Sequence, residues 1–139
     1  MKVRHRARMA VLQALYEIDC TGHPPALVIE QRLQEADLPE AGEQFARELV
    51  QGVREYQERL DELIGRYAPD WPVDQIAVID RNVLRISMYE ILMCDDTPTK
   101  VAINEAVELA KKFGSDSSSR FVNGVLGSLV ADEQPNIRQ

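Results

Sequence analysis

The sequence predicts an all-α protein of six or seven helices, on three observations. Apolar residues recur at steps of three and four along almost the whole chain, which is the mark of amphipathic helices. No segment alternates convincingly with period two, and no internal repeat stands out. Clusters of Gly, Pro, Asp and Ser fall between the periodic stretches, where they end one helix and prepare the next.

From Val3 to Asp19 the apolar positions Ala7, Val11, Ala14, Leu15 and Ile18 form one stripe, which Gly22 and the pair Pro24-Pro25 stop. A short second helix is expected from about Pro25 to Ala36, with Leu27, Val28, Ile29 and Leu33 apolar and "DLPE" ending it. The third stripe runs through Phe45, Leu49, Val53, Tyr56, Leu60, Leu63 and Tyr67, and predicts one helix of about six turns. "APDWP" then breaks the chain near Trp71. Beyond it, Ile76, Val78, Ile79, Val83, Leu84, Ile86, Met88, Ile91 and Leu92 cover most of a helix surface, so this helix should be central. "KVAINEAVELAKKFG" follows, ending at Gly114 with Lys111 and Lys112 near the negative end of the helix dipole. The serines of "SDSSS" are N-cap candidates for a last helix, "RFVNGVLGSLVA", and the closing "DEQPNIRQ" is expected to fray. The division expected is a single domain over 1–139, with subdomains of about 1–68 and 72–132.

A chain of 139 residues can bury roughly 70% of its unfolded surface, so it needs no disulfide or metal to stay folded. With 45% apolar and 28% charged residues its composition is that of a globular protein. No apolar run approaches the ~20 residues that cross a bilayer, and no apolar segment follows the charges at the start, so no membrane role and a cytoplasmic location are expected. Cys20 and Cys94 stand apart from each other and from any histidine at ligand spacing, which leaves a zinc site or a redox dithiol without support. His5 and His23 have no companions at a fixed spacing, and neither a Gly-rich phosphate loop nor a GxSxG elbow is present. Enzyme signatures are absent, and no cofactor or metal is expected.

Charge is unevenly placed. Lys2, Arg4, Arg6 and Arg8 open a chain of net charge -7, leaving 12 of its 16 basic residues against 23 acidic ones. A protein of this balance repels nucleic acid at long range. A local basic cluster can still bind RNA, because a Debye length of about 8 Å at physiological salt isolates it from distant acids. At 100° per residue Lys2 and Arg6 project to the polar side of the first helix, whereas Arg8 lies close to Leu12 and Leu15. Arg8 therefore reads as the structural member, half-buried against a carboxylate, and Lys2, Arg4 and Arg6 as the freer ones.

Four stretches, "RARMAVLQALYEID", "LRISMYE", "VAINEAVELAKKFG" and "FVNGVLGSL", resemble the NusB transcription antitermination factors in order and spacing, and together they span most of the chain. The resemblance implies a NusB-like fold of about seven helices in two three-helix bundles packed roughly perpendicular. It implies no catalysis. The implied function is transcription antitermination: binding single-stranded boxA RNA of ribosomal RNA leaders together with NusE, a small-subunit ribosomal protein, within a complex that carries RNA polymerase past terminators. An acidic body with a mobile cationic arm suits that task, since the arm can order itself on a strand presented beside it.

The resemblance also names site residues. The family's arginine-rich start resembles Arg4, Arg6 and Arg8, joined here by Lys2, with His5 where another arginine often stands. His5 carries little charge at pH 7, which weakens this arm. Tyr16 matches the tyrosine of the family's "LY" pair and is an RNA-contact candidate whose alternative role is packing. Lys111, Arg120 and Phe121 fall on the family's RNA side, where a helix start, cations and a ring can meet phosphate and base. Without the family, Phe121 reads as core, Arg120 as surface and Lys111 as a complement to the dipole. "SDSSS" is poorer in charge than the family's loop. Asp80 resembles an acidic position used toward NusE. Arg85 and Glu90 read as ion-pair residues, and Asn104, Glu105 and Asn123 as structural before functional.

Two other classes stay open. The RNA-binding module of a ribosomal RNA methyltransferase is similar, but it precedes a catalytic domain and this chain ends without one. A self-associating helical regulatory module, a homodimer that covers the arm surface, would use the apolar surplus of the central helix instead; light scattering separates it from an adaptor.

Overall fold

The protein, seen in a computed structural model that describes residues 2–133, is all-α among those residues. Seven α-helices follow one another: α1 (Lys2–Cys20), α2 (Pro25–Ala36), α3 (Glu40–Glu55), α4 (Gln57–Tyr67), α5 (Val78–Met93), α6 (Thr99–Phe113) and α7 (Ser118–Glu133), with a 3-10 turn at Val73–Gln75. No helix among the described residues is long and apolar enough to cross a membrane. Two compact units divide between Arg54 and Glu55.

That division differs from the one expected near Trp71, because the six-turn helix of the third stripe is two helices. Tyr56 leaves helical values at φ -101°, ψ 18°, and the ladder restarts at once with Leu60 N–H donating to Tyr56 O at 2.9 Å. A one-residue interruption leaves the three-and-four spacing of apolar residues intact, so periodicity does not reveal it. No Pro or Gly marks the place. The Tyr56 ring instead lies 6.3 Å from the Tyr89 ring of α5, a tertiary contact that a local reading does not see. The first unit accordingly holds three α-helices and the second four.

In the first unit α2 runs back along α1. Pro25 opens α2 at a position where a missing N–H costs nothing, and Asp37 closes it in the left-handed region at φ 50°. At the α1–α2 turn Glu17 binds Arg32 at 3.1 Å and lies 2.8 Å from His23 Nδ1, which holds its carboxyl below the usual range. Arg47 of α3 reaches Glu30 of α2 with a two-pronged contact at 2.5 and 3.0 Å. Gly42 sits where α3 meets the start of α1: a Cβ there would run into the Val3 side chain.

In the second unit α5 packs against α4, α6 and α7, as its nearly all-round apolar surface requires. Most of its buried polar groups find partners inside the fold. Asn82 donates to Val78 O at 3.0 Å and Ser87 to Val83 O at 2.9 Å, and Thr97 donates to Glu90 at 3.1 Å. Arg85 forks onto Asp61 of α4 at 2.8 and 2.9 Å, so it bridges two helices.

The α6–α7 corner is tight. Gly114 N–H donates to Ala110 O at 2.9 Å, and a Cβ at residue 114 would meet the Ser118 Cβ at 2.6 Å. Glycine is needed there for closeness and not for a positive φ, which is -96°. Ser115 N–H donates to Ser118 Oγ at 2.9 Å, the return half of a capping box drawn from the serine run. Asp132 and Glu133 remain helical. The Tyr67 hydroxyl donates to both carboxylates, at 2.5 and 2.9 Å, and the bond to Asp132 pushes its pKa up to about 12. Residues 134–139 of the stretch expected to fray lie outside the described residues.

Candidate nucleic-acid interface

Three surfaces carry the residues singled out from sequence, one in the first unit and two in the second. In the first unit Lys2 to Arg8 are not a mobile arm but the opening two turns of α1. Four basic residues with no acid in the first turn oppose the helix dipole, which favours negative charge at that end. A helix start that breaks this local rule concentrates positive potential, and unsatisfied N–H groups beside it add to its attraction for an anion.

The arginines are also seated. Arg4 and Arg8, one turn apart, place their guanidinium carbons 4.5 and 5.1 Å from the centre of the Phe45 ring. Arg6 donates to Ala36 O at 2.9 Å and Asp37 O at 3.1 Å, placing its cation on the last carbonyls of α2. Arg4 and Arg6 are therefore held, contrary to the freer state expected of them. Arg8 is only 3% exposed, deeper than the half-burial expected, and its guanidinium lies against the Phe45 ring. It supports the surface from beneath and does not present a cation to it. Lys2 is exposed, and Tyr16 keeps 43% of its surface in solvent farther along α1. Phe45 is the residue that the sequence reading missed. Its signal was present in the arginine pair at i, i+4, which needs a common platform.

In the second unit Arg120 and Phe121, expected together on one surface, part company. Consecutive helical residues are about 100° apart, and the two side chains line different cavities. Arg120 lines a groove between α6 and α7 with Lys111, Glu108, Asn104 and Asn123. Lys111 keeps 61% of its side chain exposed while lying 3.8 Å from Glu108. Asn104 and Asn123 are exposed in this groove, where they had been expected as buttresses.

Phe121 shares the other cavity with Asp80, Ile76, Ser117 and Trp71. Asp80 is 8% exposed, sits in the first turn of α5, and its buried Oδ1 has no hydrogen bond. An unsatisfied buried carboxylate oxygen costs about 1–3 kcal/mol or more unless something donates to it. Trp71, 59% exposed at the rim, was read from sequence only as part of a chain break. A large ring outside any apolar stripe, between Asp70 and Pro72, was the available signal. Among the described residues no group of three or more His, Cys, Asp and Glu could hold a metal ion.

Comparison with known proteins places this arrangement. Residues 5–131 match the model of the NusB family. A transcription antitermination protein NusB from Roseiflexus castenholzii is 52% identical over 131 residues, which cover 93% of this chain and 92% of the relative. The solved NusB of T. maritima is 35% identical with a TM-score of 0.85, covering 93% of this chain and 91% of its own. A structure of the antitermination factors NusB and NusE in complex with dsRNA has the same fold at 24% identity, with a TM-score of 0.86 and coverage of 95% and 98%. With the match running from within the first turn of α1 into the last turn of α7, the chain belongs to the NusB family.

Proposed function

We propose that this chain is an RNA-binding transcription antitermination adaptor of the cytoplasm. It binds the single-stranded boxA RNA of ribosomal RNA leaders together with NusE and so promotes read-through by RNA polymerase. One observation carries the reading: a net charge of -7 coexists with a basic helix start whose arginines are braced by Phe45 and by the C-terminus of α2. A chain that repels nucleic acid overall and attracts it at one prepared surface binds where a partner presents a strand. Lys2, Arg4 and Arg6 meet phosphate, with Arg8 beneath them, and Tyr16 offers a ring to a base. In the second unit Lys111 and Arg120 serve phosphate. The cavity of Asp80, Trp71 and Phe121 serves NusE, because an orphaned carboxylate oxygen beside the exposed Trp71 ring suits a donor from a protein side chain. That use makes Phe121 a partner contact more than an RNA contact.

The test is the salt dependence of RNA binding. With about 0.7 per neutralised phosphate on single strands, Lys2, Arg4 and Arg6 together contribute a log-log slope of about -2. Changing all three to alanine is expected to flatten the slope by that amount and to weaken boxA and scrambled RNA alike. An unchanged slope would remove the helix start from the interface.

A further inference from the structure

The groove between α6 and α7 holds two amides beside its two cations. We propose that Asn104 and Asn123 read one base of the RNA by its edge, a base bearing an exocyclic amine: adenine, cytosine or guanine. The inference rests on the RNA-binding reading above and assigns sequence selection to residues outside the basic surface.

The groove is about 460 Å³ and is walled by α6 on one side and α7 on the other, with one asparagine from each. Both asparagines are exposed within their helices. Asparagine is a poorer helix former than alanine, glutamate or lysine, so two of them at exposed helical sites bring no stability to α6 or α7. Each carboxamide sets a donor beside an acceptor, the pattern that matches the edge of a base, adenine N6 and N7 above all. Lysine and arginine cannot supply that acceptor.

Position along the groove sorts a nucleotide. Lys111 lies seven residues after Asn104, on the same face of α6, and Arg120 three before Asn123 on the same face of α7. The two cations therefore stand at the end of the groove near the α6–α7 corner, and the amides stand farther from it. Glu108 falls between, one turn from Asn104 and 3.8 Å from the Lys111 ammonium. A phosphate is attracted to Lys111 and Arg120 and repelled by Glu108, which stands between the two ends. An amine-bearing base finds the reverse, since a carboxylate accepts from cytosine N4 and an asparagine amide pairs with adenine. Single-stranded RNA offers bases unstacked enough to be read this way.

The experiment measures anisotropy of labelled boxA RNA, and of a scrambled strand of the same composition, with NusE present and over a range of salt. Asn104→Ala, Asn123→Ala and the double variant are compared with Lys111→Ala and Arg120→Ala. The double asparagine variant is expected to bind boxA about tenfold or more weakly, to bind the scrambled strand as before, and to keep the parental salt slope. The cation variants are expected to weaken both strands and to flatten the slope by about 0.7 each. Equal weakening of both strands by the asparagine changes, or no weakening, overturns the base reading while leaving the adaptor standing. Loss of NusE binding in those variants also overturns it and assigns the groove to protein. Failure of the parental chain to bind either RNA overturns the adaptor reading itself.

Discussion

Asp61→Ala is expected to lower the free energy of unfolding by about 3 kcal/mol, read from urea denaturation at constant pH. Arg85 of α5 is 6% exposed at its side chain and forks onto both carboxylate oxygens of Asp61, while a third N–H reaches Asn82 Oδ1 at 3.1 Å. Removing Asp61 takes away the carboxylate that meets two N–H groups of a buried guanidinium. Breaking a buried pair in that way costs about 3–5 kcal/mol, and the 29% exposure of Asp61 puts this case at the low end. The reverse change is milder. In Arg85→Leu the apolar side chain fills the space, and the partly exposed carboxylate rehydrates, so a loss of about 1–2 kcal/mol is expected. Equal losses in the two variants would mean that the pair acts by packing and not by the burial of charge.

Phe45→Ala is expected to cost a similar amount, about 3 kcal/mol, and to weaken RNA binding at temperatures where the variant is still folded. Truncating a fully buried phenylalanine costs about 3–5 kcal/mol, and this ring is half-buried, which brings the packing loss to about 2. Two guanidinium contacts at about 0.5 kcal/mol or more each supply the rest. Without the ring Arg4 loses a contact that orders it, and each RNA that binds must restore that order, at up to about 0.5–1.5 kcal/mol. Phe45→Leu separates the two effects, because it keeps much of the volume and loses the cation contacts. It should unfold about 1 kcal/mol more easily and still bind RNA more weakly. A leucine variant as tight and as stable as the parent would show that the ring does not prepare the surface.

Helices were legible because each leaves a stripe, and α5 was legible as central because its stripe closes around the helix. The break at Tyr56 was not, since a contact with Tyr89 decides it and no local residue does. The same limit shaped the reading of the sites. The four basic residues of α1 were found as a cluster, but their separate fates depend on groups from elsewhere in the first unit: Phe45 for Arg4 and Arg8, the end of α2 for Arg6. Arg120 and Phe121 are neighbours in sequence, and only the positions of α5 and α6 beside α7 show that they face different cavities. Trp71 was read as punctuation because its flanking prolines and aspartates describe a loop, and a loop residue's exposure is set by how the chain around it packs.

The measurement that tests the adaptor most directly is a titration of fluorescent boxA RNA, with a scrambled strand as control, against the chain with and without NusE. Binding is expected to prefer boxA, to tighten when NusE is present and to weaken when Lys2, Arg4 and Arg6 become alanine. Binding that does not distinguish the two strands, or none at low salt with NusE present, would contradict the adaptor reading.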